Sequence, residues 1–314
     1  MKTQQIVLAS RPKGAVKATN FRAENVKISK IKVGEVLLKG LFYSVDPYMQ
    51  DRINNSESTT TAFQIDEPIE GGVLARVLES KSDLFTTGDI VLGMLPWKEQ
   101  IITSDKGLQK IDTSITSENY YLGVLGMSGR VPYFGLMYVG DPKMEQKMTV
   151  SEPTLADLKS GSKKSTLLKE KFGFDESINY KTTTELKNAI ADLCPNDVDI
   201  YFDNVGGEIT DAVISSINFN SRLALCGQIS LSNSETSVKV KANSLLPERN
   251  VTMQGFIIGS YQASFSDEAK GSSYPVKNRK LKFKEKIVSG FEKLPRALLG
   301  LFNVQNKSKL TVQA

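Results

Sequence analysis

With no histidine in 314 residues, the chain has tyrosine, lysine, carboxylates, backbone groups or a bound cofactor with which to do chemistry. A catalytic zinc draws its protein ligands from histidine, cysteine and carboxylate, and a Ser-His or Cys-His pair needs an imidazole. Neither arrangement is available. Three stretches instead gather small and polar residues: DNVGG at 203–207, LCGQISLSN at 225–233 and QGFIIGSY at 254–261. Asn204 and the two glycines after it close an apolar run, VDIYFDNVGG. A turn of small residues at a strand end lets a ligand approach backbone groups. The same residues read equally as a plain strand-to-helix turn.

The elements that must carry these stretches follow from the pattern around them. Residues 1–120 hold short apolar or alternating runs, QQIVLAS, GEVLLKGLFYSV, EGGVLARVLES, GDIVLGML and EQIITS. Broken by Gly, Asp and Pro, they predict an antiparallel, barrel-like domain. Ile53 to Phe63 is polar, rich in Ser and Thr, and predicts a loop. From Glu118 the pattern becomes helix alternating with strand. ENYYLGVLGMSGRVPYFGLMYV predicts two short helices, KMTV a strand, and STLLKEKFG a helix closed by a glycine. SINYK predicts a short strand, and TTTELKNAIADLC a helix capped by threonine. VDIYFD, RLALCGQIS and VTMQGFIIGS predict further strands, with EITDAVISSI as a helix. That order predicts a mostly parallel, doubly wound sheet, whose ligands lie beyond the strand C-termini. The tail, from KLKFKEKIVSG to TVQA, predicts a strand, a helix and a closing strand returning to the first domain.

Composition narrows the function classes. Hydrophobic residues at 40% and charged residues at 24% are those of an ordinary globular chain of two domains. A net charge of +5, spread along the chain, lacks the basic stripe that nucleic acids require. No stretch of about eighteen apolar residues predicts a membrane span, and MKTQQIVLASRPKG has no signal-peptide core. A cytoplasmic location is expected, and Cys194 and Cys226 are expected as buried thiols.

The motifs VDPYM, EGGV, GDIVLGMLPW, YLGVLGMSG, YFGL, FGFDESINYK, VDIYFDNVGGE, LCGQIS, QGFII and SGFEKLP occur in this order over nearly the whole chain. Together they resemble the zinc-independent medium-chain reductases of the leukotriene B4 12-hydroxydehydrogenase, or 15-oxoprostaglandin 13-reductase, type. The resemblance implies a GroES-like β-barrel substrate domain over 1–120, completed by 285–314, and a Rossmann-type NADP-binding domain over 121–284. It implies NADPH as cofactor, reduction of the C=C bond of α,β-unsaturated aldehydes and ketones, and a homodimer. By position in the family motifs, Asn204, Cys226, Gly227, Gln228, Ile229, Ser230, Phe256, Ile257 and Ile258 flank the nicotinamide. Lys164 and Tyr180 lie toward the adenosine phosphates, Lys164 against the 2′-phosphate, and Asn306 matches a family asparagine near the C-terminus. Tyr261 matches a tyrosine placed to donate to the ribose or the enolate region, and Tyr48 with Arg52 would line the substrate mouth. The family commonly has tyrosine where Ser232 stands, glycine at Ser308, arginine at Gln50 and glycine at Asp51.

One expected part is missing. The family's first βαβ unit carries a glycine-rich turn whose amides and helix N-terminus hold the pyrophosphate. Here Val150 leads to Gly161 with no glycine between, and a βαβ crossover needs at least about ten to twelve residues before its second strand. The unit is therefore shortened near 151–160. Two alternatives follow: a catalytically impaired relative that keeps the fold as a scaffold, and an NADPH quinone reductase with the same hydride geometry.

Overall fold

The structure, a computed structural model, describes residues 2–55, 61–114, 116–151, 167–180, 182–227, 244–264, 283, 285–301 and 309–314. The chain divides into two compact units, Met1–Gly126 with Pro275–Ala314, and Met127–Tyr274.

The first unit is built on hydrogen-bonded strands that turn one face inward. Strands β1 (Lys2–Leu8) and β2 (Phe21–Lys27) form an antiparallel pair. Strand β3 (Glu35–Ser44) is followed by helix α1 (Tyr48–Asn54), then β4 (Glu70–Ser80), β5 (Ile90–Pro96), β6 (Gln100–Ser104) and β7 (Gln109–Lys110). Two late strands, β12 (Glu285–Ser289) and β13 (Lys309–Gln313), join them in one sheet, ordered β12-β13-β3-β4-β5-β7 with β6 on β3. Thus Thr311 to Gln313 pair antiparallel with Ser44 to Phe42, as a returning terminal strand requires. Ile6, Leu38, Tyr43, Val73, Trp97 and Leu298 share its core. The loop expected from Ile53 begins two residues later, since Ile53 is buried at the end of α1.

Glu285 on β12 is held by Asn119 Nδ2, which donates at 2.6 Å, and by the Val124 amide at 3.3 Å. Gly123 leaves room for it, because a Cβ there would lie 1.7 Å from the carboxylate oxygen. Burial raises the Glu285 carboxyl above its ordinary value of 4.5, against the opposing pull of Asn119, the Val124 amide and Lys309. A carboxyl with a raised folded value binds its proton more tightly in the native state. It therefore subtracts stability as pH rises through that value, and subtracts nothing below its unfolded one. The melting temperature of Glu285→Gln relative to the parent should accordingly grow from pH 4.5 toward neutrality; a difference that does not change with pH would contradict this.

The first unit includes a 3₁₀ turn, Glu118–Leu122, and the second opens with α2 (Met127–Phe134), which runs on into a π-type turn, Gly135–Gly140. Its parallel sheet contains β8 (Met148–Val150), β9 (Val198–Asp203), β10 (Ile217–Leu225) and β11 (Thr252–Gly255), ordered β11-β10-β9-β8. Central β9 is buried on both faces, which is why it reads as an unbroken apolar run. Helices α3 (Leu186–Leu193) and α4 (Glu208–Ile214) flank β9, and Ile190, Tyr201, Val213, Ile217 and Leu223 pack together. An antiparallel sheet and a Rossmann-like parallel sheet thus make up the expected α/β fold.

Several local expectations need correction. Residues Ser177 to Tyr180 are not a strand. In a doubly wound sheet the third strand pairs only with the second, and among the described residues β8 is the sheet edge, so SINYK has no described ladder to join. The described part of the STLLKEKFG helix, Leu167–Phe172, is a π-type turn closed by Gly173 at φ 80°. Helix α3 begins at Leu186 with Glu185 at its N-cap, because the hydroxyls of Thr182 and Thr183 bond the Asn179 carbonyl instead. Strand β11 stops at Gly255, so Phe256 and Ile257 lie beyond it and Ile258 opens a 3₁₀ turn, Ile258–Ser264. Neither cysteine forms a disulfide among the described residues, and both are half-buried. Among the described residues no helix is long and apolar enough to cross a membrane.

Candidate active site

The C-terminal ends of β9, β10 and β11 lie side by side because the three strands are paired in parallel. The Asn204 turn and the Cys226–Gly227 turn meet there: the amides of Cys226 and Gly227 donate to the Asp203 carbonyl at 2.8 and 3.1 Å. A Cβ on Gly227 would lie 3.4 Å from the Asn204 carbonyl oxygen, so the two turns are in contact. Gly206 has φ 77° and Gly207 φ 64°, ψ −139°, the latter a region essentially restricted to glycine. A side chain at Gly207 strains the turn by about 1–3 kcal/mol. Gly207→Ala is expected to lower stability by that amount and to weaken any ligand held by Asn204, as denaturant titration and calorimetry would show; an unchanged midpoint would count against it.

Beside these turns, a cavity of about 510 Å³ is lined by Leu225, Gln254, Gly255, Phe256, Ile257, Ser260 and Tyr261. Its aromatic wall is mutually braced. Tyr261 stacks on Phe134 with centroids 4.9 Å apart and meets Phe256 edge-on at 6.3 Å. Phe256 packs in turn on Phe202 and the cluster that includes Cys226. Ile257 is 64% exposed, so it is not a core residue.

Of the residues singled out from sequence, the fold gathers Phe256, Ile257 and Tyr261 in this cavity and Asn204, Cys226 and Gly227 at the adjoining strand ends. Ile258 starts the turn that carries Tyr261. Tyr180 is half-buried ahead of α3, away from the cavity lining. Lys164, Gln228, Ile229, Ser230 and Asn306 lie outside the described residues.

Tyr48 and Arg52 belong to the first unit, on α1. The Tyr48 hydroxyl is buried and has no hydrogen-bond partner among the described residues. Burial, helped by the charge of Asp46, pushes its phenol up, so it stays a proton donor. Arg52 is already engaged: its Nε donates to the Thr61 carbonyl at 2.8 Å, its fork lies 3.7 Å from Glu70, and its guanidinium sits 3.9 Å above the Phe63 ring.

The residues present suit a nicotinamide. A small-residue crevice at parallel strand ends, with an aromatic wall to one side, admits a flat ring and keeps water from one of its faces. Among the described residues no three His, Cys, Asp or Glu side chains are grouped to hold a metal. Sequence reading missed Phe134, Leu225, Gln254 and Ser260, whose roles depend on long-range packing. It also missed Asp203, although an acidic residue ending an apolar strand is a signal in itself.

Comparison with known proteins identifies the family. Residues 4–111 match the family described as N-terminal domain of oxidoreductase, and residues 155–270 the family described as zinc-binding dehydrogenase. The YfmJ protein of Bacillus subtilis (strain 168) is 40% identical over 99% of this chain and 97% of its own length. A 2-alkenal reductase (NADP(+)-dependent) of Nicotiana tabacum is 36% identical over 98% and 96%. The alignments run over 330 and 332 positions, more than the chain's own 314 residues, so both relatives carry positions that this chain lacks. The crystal structure of CurA from Vibrio vulnificus in complex with NADPH superposes with a TM-score of 0.87 at 31% identity, covering 99% of each chain. With matches of this length and identity, and without a histidine to its name, the chain belongs to the zinc-independent medium-chain dehydrogenase/reductase family.

Proposed function

We propose that this chain reduces the C=C bond of α,β-unsaturated aldehydes and ketones with NADPH. The observation that carries the reading is the strand-end crevice, where Asn204, Cys226 and Gly227 adjoin a cavity walled by Phe256 and Tyr261. Relatives that include a tobacco 2-alkenal reductase and a CurA solved with NADPH support it. NADPH, when bound, supplies the hydride that adds to the β-carbon of the enone.

The chain's own residues then have three tasks: to orient the two reactants, to stabilise charge on the carbonyl oxygen as an enolate, and to exclude water while a proton reaches the α-carbon. Asn204, Cys226, Gly227, Gln228, Ile229 and Ser230, with Phe256 to Ile258, hold the nicotinamide side. Lys164, Tyr180 and Asn306 serve the adenosine and phosphate side. Tyr261 donates a hydrogen bond at the reacting end, and Tyr48, whose buried hydroxyl has no partner among the described residues, offers a second donor to the substrate. Arg52, tied to Glu70 and Phe63, shapes the mouth instead of contributing a free charge. In this reading the first unit is the GroES-like substrate domain, the second the NADP-binding domain, and the working form a cytoplasmic homodimer.

The test is NADPH uptake by calorimetry, then NADPH consumption with a 2-alkenal and, in parallel, with a quinone. Turnover of the alkenal supports the proposal. Preference for the quinone replaces it with quinone reduction, and no uptake of NADPH at millimolar concentration reduces the chain to a scaffold.

A further inference from the structure

The geometry points to Asp203 as the positioning residue of the crevice, a buried carboxylate that ties the ends of β8 and β9 and the start of α4 to one point. This rests on the cofactor site proposed above and names the group that sets its shape. Asp203 ends β9 and is fully buried. Its Oδ1 accepts from Ser151 Oγ at 2.9 Å, Tyr201 Oη at 2.9 Å, the Val205 amide at 3.0 Å and the Gly206 amide at 2.9 Å. Its Oδ2 accepts from Thr210 Oγ1 at 2.5 Å. Ser151, the residue after β8, accepts in turn from the Asn204 amide at 3.0 Å. The Asp203 carbonyl takes the Cys226 and Gly227 amides.

A carboxylate removed from water is tolerated only when its lone pairs are filled, and bonds to a charged acceptor are about twice as strong as neutral ones. Five donors fill this one. Burial and the neighbouring carboxylate push the Tyr201 phenol up, so it remains a donor. The arrangement also decides what the turn can offer a ligand. The Val205 and Gly206 amides point inward to Asp203, so the turn is anchored from its inner side. No other described strand end in this sheet has such a side chain, and Ser151 connects it to the place where the glycine-rich unit is shortened. Asp203 therefore fixes the Asn204 turn from behind without touching the cofactor.

The test uses the full-length chain with Ser151→Ala, Thr210→Val and Thr210→Ser, because Asp203→Asn sets an NH₂ against donors and can fail to fold. Thr210 donates to Asp203, and its hydroxyl also interacts with Tyr201, which itself donates to Asp203, so it reaches the crevice through this network. Amide hydrogen exchange at Asn204, Val205 and Gly206 should quicken in Ser151→Ala and Thr210→Val and stay at the parent rate in Thr210→Ser. The NADPH dissociation constant, by calorimetry, should rise about tenfold in the first two variants, the scale of one charge-assisted hydrogen bond, with kcat within about twofold of the parent. Exchange unchanged in both variants overturns the inference, and so does faster exchange with unchanged NADPH affinity. If the parent chain takes up no NADPH, the proposed function falls on its own, and the exchange comparison alone decides whether Asp203 holds the turn.

Discussion

Tyr261→Phe is expected to lower kcat for a 2-alkenal about 100-fold, the usual scale for losing one positioned donor at a developing oxyanion, with little change in NADPH affinity. Phenylalanine keeps the ring stacked on Phe134 and edge-on to Phe256, so the cavity wall survives and only the hydroxyl is lost. Steady-state kinetics with saturating NADPH would measure it. A drop in kcat with the KM for NADPH preserved is the signature of an interaction made in the transition state. If kcat holds and only the KM for the alkenal rises, Tyr261 is a packing residue, and Tyr48, whose buried hydroxyl has no partner among the described residues, becomes the donor to test next.

The largest expected stability effect lies in the other unit. Lys309 Nζ donates to Ser44 Oγ at 2.7 Å and forms an ion pair with Asp46, whose other oxygen is bonded by the Ser44 hydroxyl. Each charged side chain is only 12% exposed. Removing one member of a buried pair leaves the other charge uncompensated and costs about 3–5 kcal/mol. Lys309→Met should show that loss in chemical denaturation. The double variant Asp46→Leu, Lys309→Met should recover most of it, since a well-packed apolar pair is close to neutral in such a setting. Asp46 stands two residues before the helix bearing Tyr48 and Arg52, next to its N-cap Pro47, so Lys309→Met should also raise the KM for the alkenal. A double variant no more stable than the single one would show that the residues act separately.

Much of the architecture was legible because strand and helix periodicity are local properties. The alternating runs before residue 120 and the unbroken apolar VDIYFD each state their surroundings in a few residues: one face buried in the first case, both faces in the second. The absence of histidine directed the chemistry toward a cofactor before any coordinates. The loops that carry Asn204, Cys226 and Tyr261 could be singled out because parallel strands place their C-terminal loops on one edge whatever their separation in sequence; the residues within them were marked by the family resemblance.

Other features were illegible because they depend on partners far away in the chain. SINYK has the composition of a strand, yet a strand needs a neighbour, and the residues that would supply one are the shortened ones. Arg52 reads as a free cation until Glu70 and Phe63 are brought to it. Asp203 reads as one acidic residue among many, and its weight comes from Ser151, 52 positions earlier in the sequence, and from Thr210, seven positions later in the first turn of α4. By itself the sequence determined most of the element types and the order of an antiparallel and a parallel sheet, since these follow from composition and local pattern. The tertiary structure alone decided which donors converge on a buried charge, since convergence is a matter of distance in space, on which periodicity is silent.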